Sequence, residues 1–289
     1  MKRPSQLLRR SKSSLQRRRR ARSTSRVFEV LEPRHLLSGD GLSPALVESV
    51  DPALINRAIV AGDPAGTPTD SPSNRVDPDT PTSAFAGVGS IEIFAANGVD
   101  RYICSGTLIS ESHVLTAGHC SDFNDDGQVD VSSMTFHLNI DEDVPSDFPD
   151  ISIGVDQIDL HPSYVGFSNS VWDDVAVLTL DSPVPAAPFP AGLPIYPIAT
   201  QQPAGDQHII LAGYGQSGTG TDGYTVGASF TVKRSGENIA QGYSDDDDGG
   251  ESLEIFEFDF DPATLNLYPG ESLGNDIETT LGGGDSGGP

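Results

Sequence analysis

The sequence predicts an all-β protein built as two tandem antiparallel β-barrels. Three observations point there. The chain holds 31 glycines and 22 prolines but only 7% aromatics, a profile of short strands and frequent turns. From Phe85 onward, short apolar runs are separated by turn signals. The stretch from Pro183 to Pro203 carries seven prolines, which forbid a central strand and read as an extended connection between two β units.

Taken in order, the first unit (about 84–182) contains the apolar runs Gly89–Phe94, Thr107–Ile109, Val114–Thr116 and Val175–Leu180. Each is rich in Val, Ile, Leu or Phe, as buried or half-buried strands should be. The connection covers about 183–203. The second unit (about 204–289) contains Ile209–Gly215, Ala228–Lys233 and Leu253–Phe260. The last alternates acidic and apolar residues, the mark of a strand with one wet face. Residues 40–83 are rich in Pro, Asp, Thr and Ser and read as propeptide and linker. Asp245–Asp248 reads as a solvated acidic turn, and no internal repeat is found.

The net charge of −25 is unevenly spread. Residues 1–26 hold eleven Lys or Arg and no acid, leaving six basic against 42 acidic residues in the rest. The acidity suits solubility outside a cell. The basic head alone would suit a nucleic-acid arm. Its sequel, Val27–Gly39, instead resembles the Leu-Glu-Pro-Arg leader of extracytoplasmic planctomycete proteins, although Glu29 and Glu32 interrupt the usual apolar run of a signal peptide. Export is therefore expected, with 1–39 as leader and no nucleic-acid partner. No stretch of about 18 apolar residues occurs, so no membrane-spanning helix is expected.

The chemistry concentrates in Gly282–Pro289. Ser286, flanked by small residues, lets backbone N–H groups crowd its own reaction centre. A serine hydroxyl needs a base, and the base needs a third group to hold it. His119 stands in Leu115-Thr116-Ala117-Gly118-His119-Cys120, and Asp174 in Asp174-Val175-Ala176-Val177-Leu178, with Asp173 as the alternative acid. These segments, with Cys104-Ser105-Gly106-Thr107-Leu108-Ile109, His161-Pro162-Ser163-Tyr164 and Gly284-Asp285-Ser286-Gly287-Gly288-Pro289, resemble the trypsin/chymotrypsin-like serine proteases. The order His119, Asp174, Ser286 agrees with that family and disposes of an α/β-hydrolase elbow, whose acid and base follow the serine.

The resemblance implies barrels of the chymotrypsin type and a secreted serine endopeptidase acting on proteins or peptides without a required cofactor. It implies an oxyanion hole from the N–H groups of Gly284 and Ser286, and a pairing of Asp285 with an α-amino group released by zymogen cleavage. Arg75-Val76 is the preferred cut and Arg57-Ala58 the competitor, giving 40–75 as propeptide and 76–289 as peptidase domain. The pocket floor falls on Thr280, where no carboxylate selects Arg or Lys. The second barrel is expected to be C-terminally incomplete, because the family continues beyond the serine segment. A catalytically silent binding protein is the alternative of another class.

Cys104 and Cys120 flank His119 and read as a disulfide pinning its loop, worth about 3 kcal/mol for a loop of this size; two buried free thiols are the alternative. Asp122, Asn124, Asp126, Gln128 and Asp130 follow at the spacing of the first nine positions of a calcium loop. Ser133 stands where the bidentate acid belongs. A structural calcium ion and a plain polar turn are both open.

Overall fold

The computed structural model describes residues 59–142, 144–200, 207–245, 253–260 and 272–289. The basic head, the leader-like segment Val27–Gly39, the Arg57-Ala58 pair and residues 246–248 of the acidic turn lie outside the described residues. Among the described residues every regular element longer than a single 3-10 turn is a strand, so the molecule is all-β.

The first six strands are β1 (Val88–Ala95), β2 (Arg101–Leu108), β3 (His113–Thr116), β4 (Val131–Leu138), β5 (Ile151–Leu160) and β6 (Ala176–Leu180). They close into a barrel in the order β1-β2-β3-β6-β5-β4, with β4 pairing back onto β1. The β1–β2 hairpin turns at Asn97-Gly98, where Gly98 has φ 67°. Asn97 Oδ1 takes the Val99 and Asp100 N–H groups at 2.9 and 3.0 Å, the local capture that makes Asn-Gly a turn former. Alternation along β1 sends Ile91 and Ile93 inward to meet Leu108, Val114, Phe136, Leu138 and Leu178, all fully buried. Among the described residues the proline-rich connection forms no strand, as expected, yet it is more than a spacer. Its Val184 and Phe189 enter the same core, and the Tyr196 hydroxyl donates to Ala84 O at 2.6 Å.

The second half is built differently. β7 (His208–Gly213) pairs with β10 (Arg234–Ile239), β8 (Ser217–Thr219) with β9 (Gly223–Val226), and β11 (Gly242–Asp245) with β12 (Leu253–Glu257). These are three separate two-stranded ladders among the described residues. The strand expected over Ala228–Lys233 is absent; strands flank it instead. The backbone there is engaged elsewhere. The Thr231 N–H donates to Ser229 Oγ at 3.2 Å, and Phe230 O accepts from Ser90 Oγ (2.8 Å) and Asn139 Nδ2 (3.0 Å) of the first half. Side-chain capture of this kind competes with a ladder.

Residues 59–75, expected as linker, are integral to the fold. Val60 pairs with Thr280 and Ala61 with Thr219, and Ile59 and Ala61 are fully buried. Arg75 grips Asp70 at 2.6 Å, while Asp70 Oδ2 accepts the Gly62 N–H at 2.8 Å.

Candidate active site

His119 sits in the 3-10 turn Gly118–Cys120 that follows β3. The turn is pinned from both sides. Cys120 is bridged to Cys104 of β2, with Cα atoms 6.3 Å apart, so the free-thiol alternative falls. The Ser121 N–H and hydroxyl both donate to Gly118 O, at 2.9 and 3.0 Å.

Asp174 holds the histidine with both carboxylate oxygens. The His119 backbone N–H donates to Oδ1 at 2.7 Å, and Nδ1 meets Oδ2 at 2.6 Å. A carboxylate at Nδ1 keeps the proton on that nitrogen and leaves Nε2 as the basic one. Asp173 takes another course: its carboxylate meets His161 Nδ1 at 2.8 Å. Strand alternation does not separate the two acids, since β6 begins only at Ala176. Asp173 adopts a left-handed φ of 59°, and the Val175 N–H folds back onto Asp173 O at 2.7 Å. A turn, not a pleat, sends the carboxylates apart.

Ser286 arrives from the far end of the chain. Its carbonyl accepts the Ser105 N–H of β2 at 2.9 Å. Gly287, with φ 80°, lies so close to β3 that a Cβ would stand 2.2 Å from Thr116 Oγ1 and 2.7 Å from Ala117 N. The serine segment therefore rests on the stretch leading into His119. Gly284 has φ 104° and a Cβ there would meet Gly215 Cα at 2.9 Å, so only glycine fits. Among the described residues, the N–H groups of Gly284 and Ser286 donate to no backbone carbonyl.

Asp285 is buried, with Oδ1 accepting from Gly215 N–H (2.7 Å) and Oδ2 from Gly282 N–H (2.8 Å). The Ile59 N–H is its third backbone donor. Burial pushes this carboxyl up to about 6, against the pull of those donors and of the Arg234 charge. The segment facing Asp285 is thus Ile59-Val60, not the expected Val76. Val76 is paired with Arg234, and Arg75 donates to Ile277 O at 2.7 Å as well as to Asp70. Ile59 itself has φ 60°, a strained value for a β-branched residue. Thr280 is half-buried, and its carbonyl accepts the Val60 N–H at 3.0 Å.

The oxygen-rich loop after the histidine is stapled by its own side chains. Asp122 accepts from Asp126 and Gly127 N–H groups (3.2 and 2.8 Å), Asn124 from Asp126 N–H (3.0 Å), and Asp126 from Gln128 N–H (3.0 Å). Asp130 accepts from Phe123 and Asn124 N–H groups (2.8 and 3.0 Å). Among the described residues its carboxylates do not gather into one cluster; the group that does is Cys104, His119 and Cys120, two of which are bridged.

Sequence reasoning passed over two contributors. Phe167 lies 4.9 Å from the His119 ring, centroid to centroid. Its loop is tied to the one after the histidine by Asp125, whose Oδ2 accepts from Ser168 Oγ at 2.6 Å. No motif marks this pair. Ser105 is the other, although it stands inside the Cys104–Ile109 segment that carries the resemblance.

The chain is similar to several known proteins. Phenoloxidase-activating factor 3 of Holotrichia diomphalia is 25% identical over 49% of this chain and 42% of its own length. Venom serine protease Bi-VSP of Bombus ignitus is 33% identical over 33% of this chain and 23% of its own. Chymotrypsin-C of Rattus norvegicus is 33% identical over 29% and 28%. The chain spans less than half the length of these curated relatives. Among solved structures, the thermostable serine protease AL20 from an extremophilic microorganism aligns at 17% identity and a TM-score of 0.43, covering 72% of this chain and 79% of that one. HL collagenase aligns at 19% and 0.44, covering 71% and 75%. The family model for trypsin matches residues 82–246, more than half of the sequence, and the chain belongs to the trypsin family.

Proposed function

We propose that the chain is a serine endopeptidase in which Ser286, His119 and Asp174 form the catalytic triad. The observation carrying this reading is the two-oxygen hold of Asp174 on His119 beside a serine segment hydrogen-bonded to β2. His119 Nε2 takes the Ser286 proton as Oγ bonds to the peptide carbonyl carbon. The same proton then goes to the leaving amine, whose C–N bond breaks to leave an acyl-enzyme. Water repeats the sequence and frees the acid. The N–H groups of Gly284 and Ser286 meet the charge developing on the carbonyl oxygen. Proteins or peptides are the substrates, and the acidic chain acts outside the cytoplasm after export on its leader.

Labelling by a fluorophosphonate probe tests this directly. Wild type is labelled at Ser286, and Ser286→Ala abolishes labelling. His119→Ala lowers kcat/KM by about 10⁴-fold or more. A folded wild type that never labels, uncut or cut at Ala58-Ile59, establishes instead the silent, binding-only alternative.

The activating cut belongs at Ala58-Ile59. The Ile59 N–H already faces Asp285, so cutting there creates an ammonium in place and removes the left-handed φ of Ile59. N-terminal sequencing of active material beginning at Val76 would refute it. No cofactor enters the chemistry. The oxygens of Asp122, Asn124, Asp126, Gln128 and Asp130 suit calcium in kind, and an ion there would stiffen the loop leaving His119. Calorimetric titration checks this, and a melting temperature indifferent to chelator counts against it.

A further inference from the structure

The buried side chain Ser105 is placed, in this chain, where the nucleophile segment meets the first barrel. It is fully buried, and each of its polar atoms has a partner. Its N–H donates to Ser286 O at 2.9 Å, and its carbonyl accepts from Thr116 Oγ1 at 2.8 Å. Its hydroxyl donates to Gly284 O at 3.0 Å and accepts the Tyr214 N–H at 3.0 Å. One proton and one lone pair thus join three segments that are remote in sequence: β2, the start of the turn after β7, and the nucleophile loop.

We infer that Ser105 is a positioning residue for the oxyanion donors, setting the Gly284–Asp285 peptide plane through the carbonyl of Gly284. The inference rests on the reading of Ser286 as nucleophile. Its physical basis is geometric. The N–H in that plane is that of Asp285; the Gly284 and Ser286 N–H groups lie in the planes on either side, hinged to it at the Gly284 and Asp285 Cα atoms, so holding the middle plane limits how far those two can turn. Gly284 has no Cβ to limit that rotation; within the loop the plane is held by the Asp285 N–H, which donates to Gly282 O at 2.9 Å. Gly215 and Ala228 lie beside Gly284 without a hydrogen bond to it; the Ser105 hydroxyl supplies a second directional hold on the plane, this one from the first barrel. The Thr116 bond to Ser105 O continues the connection to the strand that leads into His119. Base and nucleophile segments are therefore referenced to one residue. A glycine at 105 would keep the N–H bond to Ser286 O but lose the hydroxyl, leaving Gly284 O and the Tyr214 N–H without these partners.

Ser105→Ala in the full chain is the test. Donors held less well act on the transition state more than on bound substrate, so kcat and the fluorophosphonate labelling rate are expected to fall by about tenfold while KM changes less than about twofold. Ser105→Thr, which keeps the hydroxyl, restores most of the loss. Amide hydrogen exchange provides a readout independent of activity: Ser105→Ala speeds exchange in the 282–289 peptide and at Tyr214 while β4 and β5 stay protected. Unchanged kcat and labelling in Ser105→Ala would overturn the inference. So would a loss spread evenly over kcat, KM and exchange throughout the molecule, which marks general destabilisation. A wild type cut at Ala58-Ile59 that does not label sinks the nucleophile reading alone, and the exchange result still decides whether Ser105 holds the loop.

Discussion

In the first half of the molecule, Ile91, Ile93, Leu108, Phe136 and Leu178 fill a barrel whose ladder returns to its starting strand. In the second half, among the described residues, each ladder has two strands, and Lys233, Arg234 and Asn238 stand among the buried side chains. The first half can hold its shape through apolar burial, which needs no particular partner. The second leans on specific polar links to the first and to residues 59–80. Asn139 and Ser90 hold Phe230 O, Ser105 holds Tyr214 and Gly284, and Lys233 Nζ meets Asp79 at 3.1 Å and Asp77 at 3.5 Å. A short apolar core supplemented by directional contacts positions a loop accurately, but each contact is then individually expensive to remove.

That contrast can be broken most forcefully at Phe136. Phe136→Ala opens a cavity in the closed barrel and is expected to cost about 3–5 kcal/mol, with both halves melting together in denaturant titration; a second half that survives it would contradict the dependence described above. Lys233→Ala comes next. It strands two buried carboxylates and is expected to cost about 3 kcal/mol, read as faster amide exchange in β7 and β10 with little change in β4.

Asp285 sharpens the comparison through pH. Its carboxyl stands at about 6 in the folded chain against an ordinary 3.8, so the folded state binds the proton more tightly than the unfolded one. Stability of the uncut chain should therefore fall as pH rises from about 4 through 6, by on the order of 3 kcal/mol in all, and level off about one pH unit above the folded value. Asp285→Asn removes that decline. Cutting at Ala58-Ile59 should remove it too, because an ammonium at Ile59 lowers the carboxyl again. The smallest effect is expected at Ser90: Ser90→Ala loses one hydrogen bond to Phe230 O and should cost about 1 kcal/mol in thermal unfolding.

Much of the first half was legible because its signals are local. Alternating Val, Ile and Leu specify which face of β1 or β6 is buried, and Asn97-Gly98 specifies a turn whatever lies beyond it. The second half was less so. Ala228–Lys233 has the composition of a strand, yet Phe230 O is claimed by Ser90 and Asn139, residues more than ninety positions upstream, and composition carries no record of that competition. Asp173 and Asp174 present the same limit. Neighbouring carboxylates are equivalent as residue types, and only the left-handed turn at Asp173 sends one to His161 and the other to His119.

The sequence by itself determined the all-β class, the runs that become β1, β3, β6 and the end of β2, and the strand-free course of the described part of the proline-rich connection. These follow from side-chain periodicity, backbone restriction at proline and the chemistry of short motifs. Only the tertiary structure decided that Ile59 rather than Val76 faces Asp285, that residues 59–75 belong to the fold, and that Ser105 joins Tyr214 to Gly284. Each of those outcomes depends on which polar groups meet across long stretches of chain. Burial forces such groups to find partners, but it is the packing of the whole molecule that selects them.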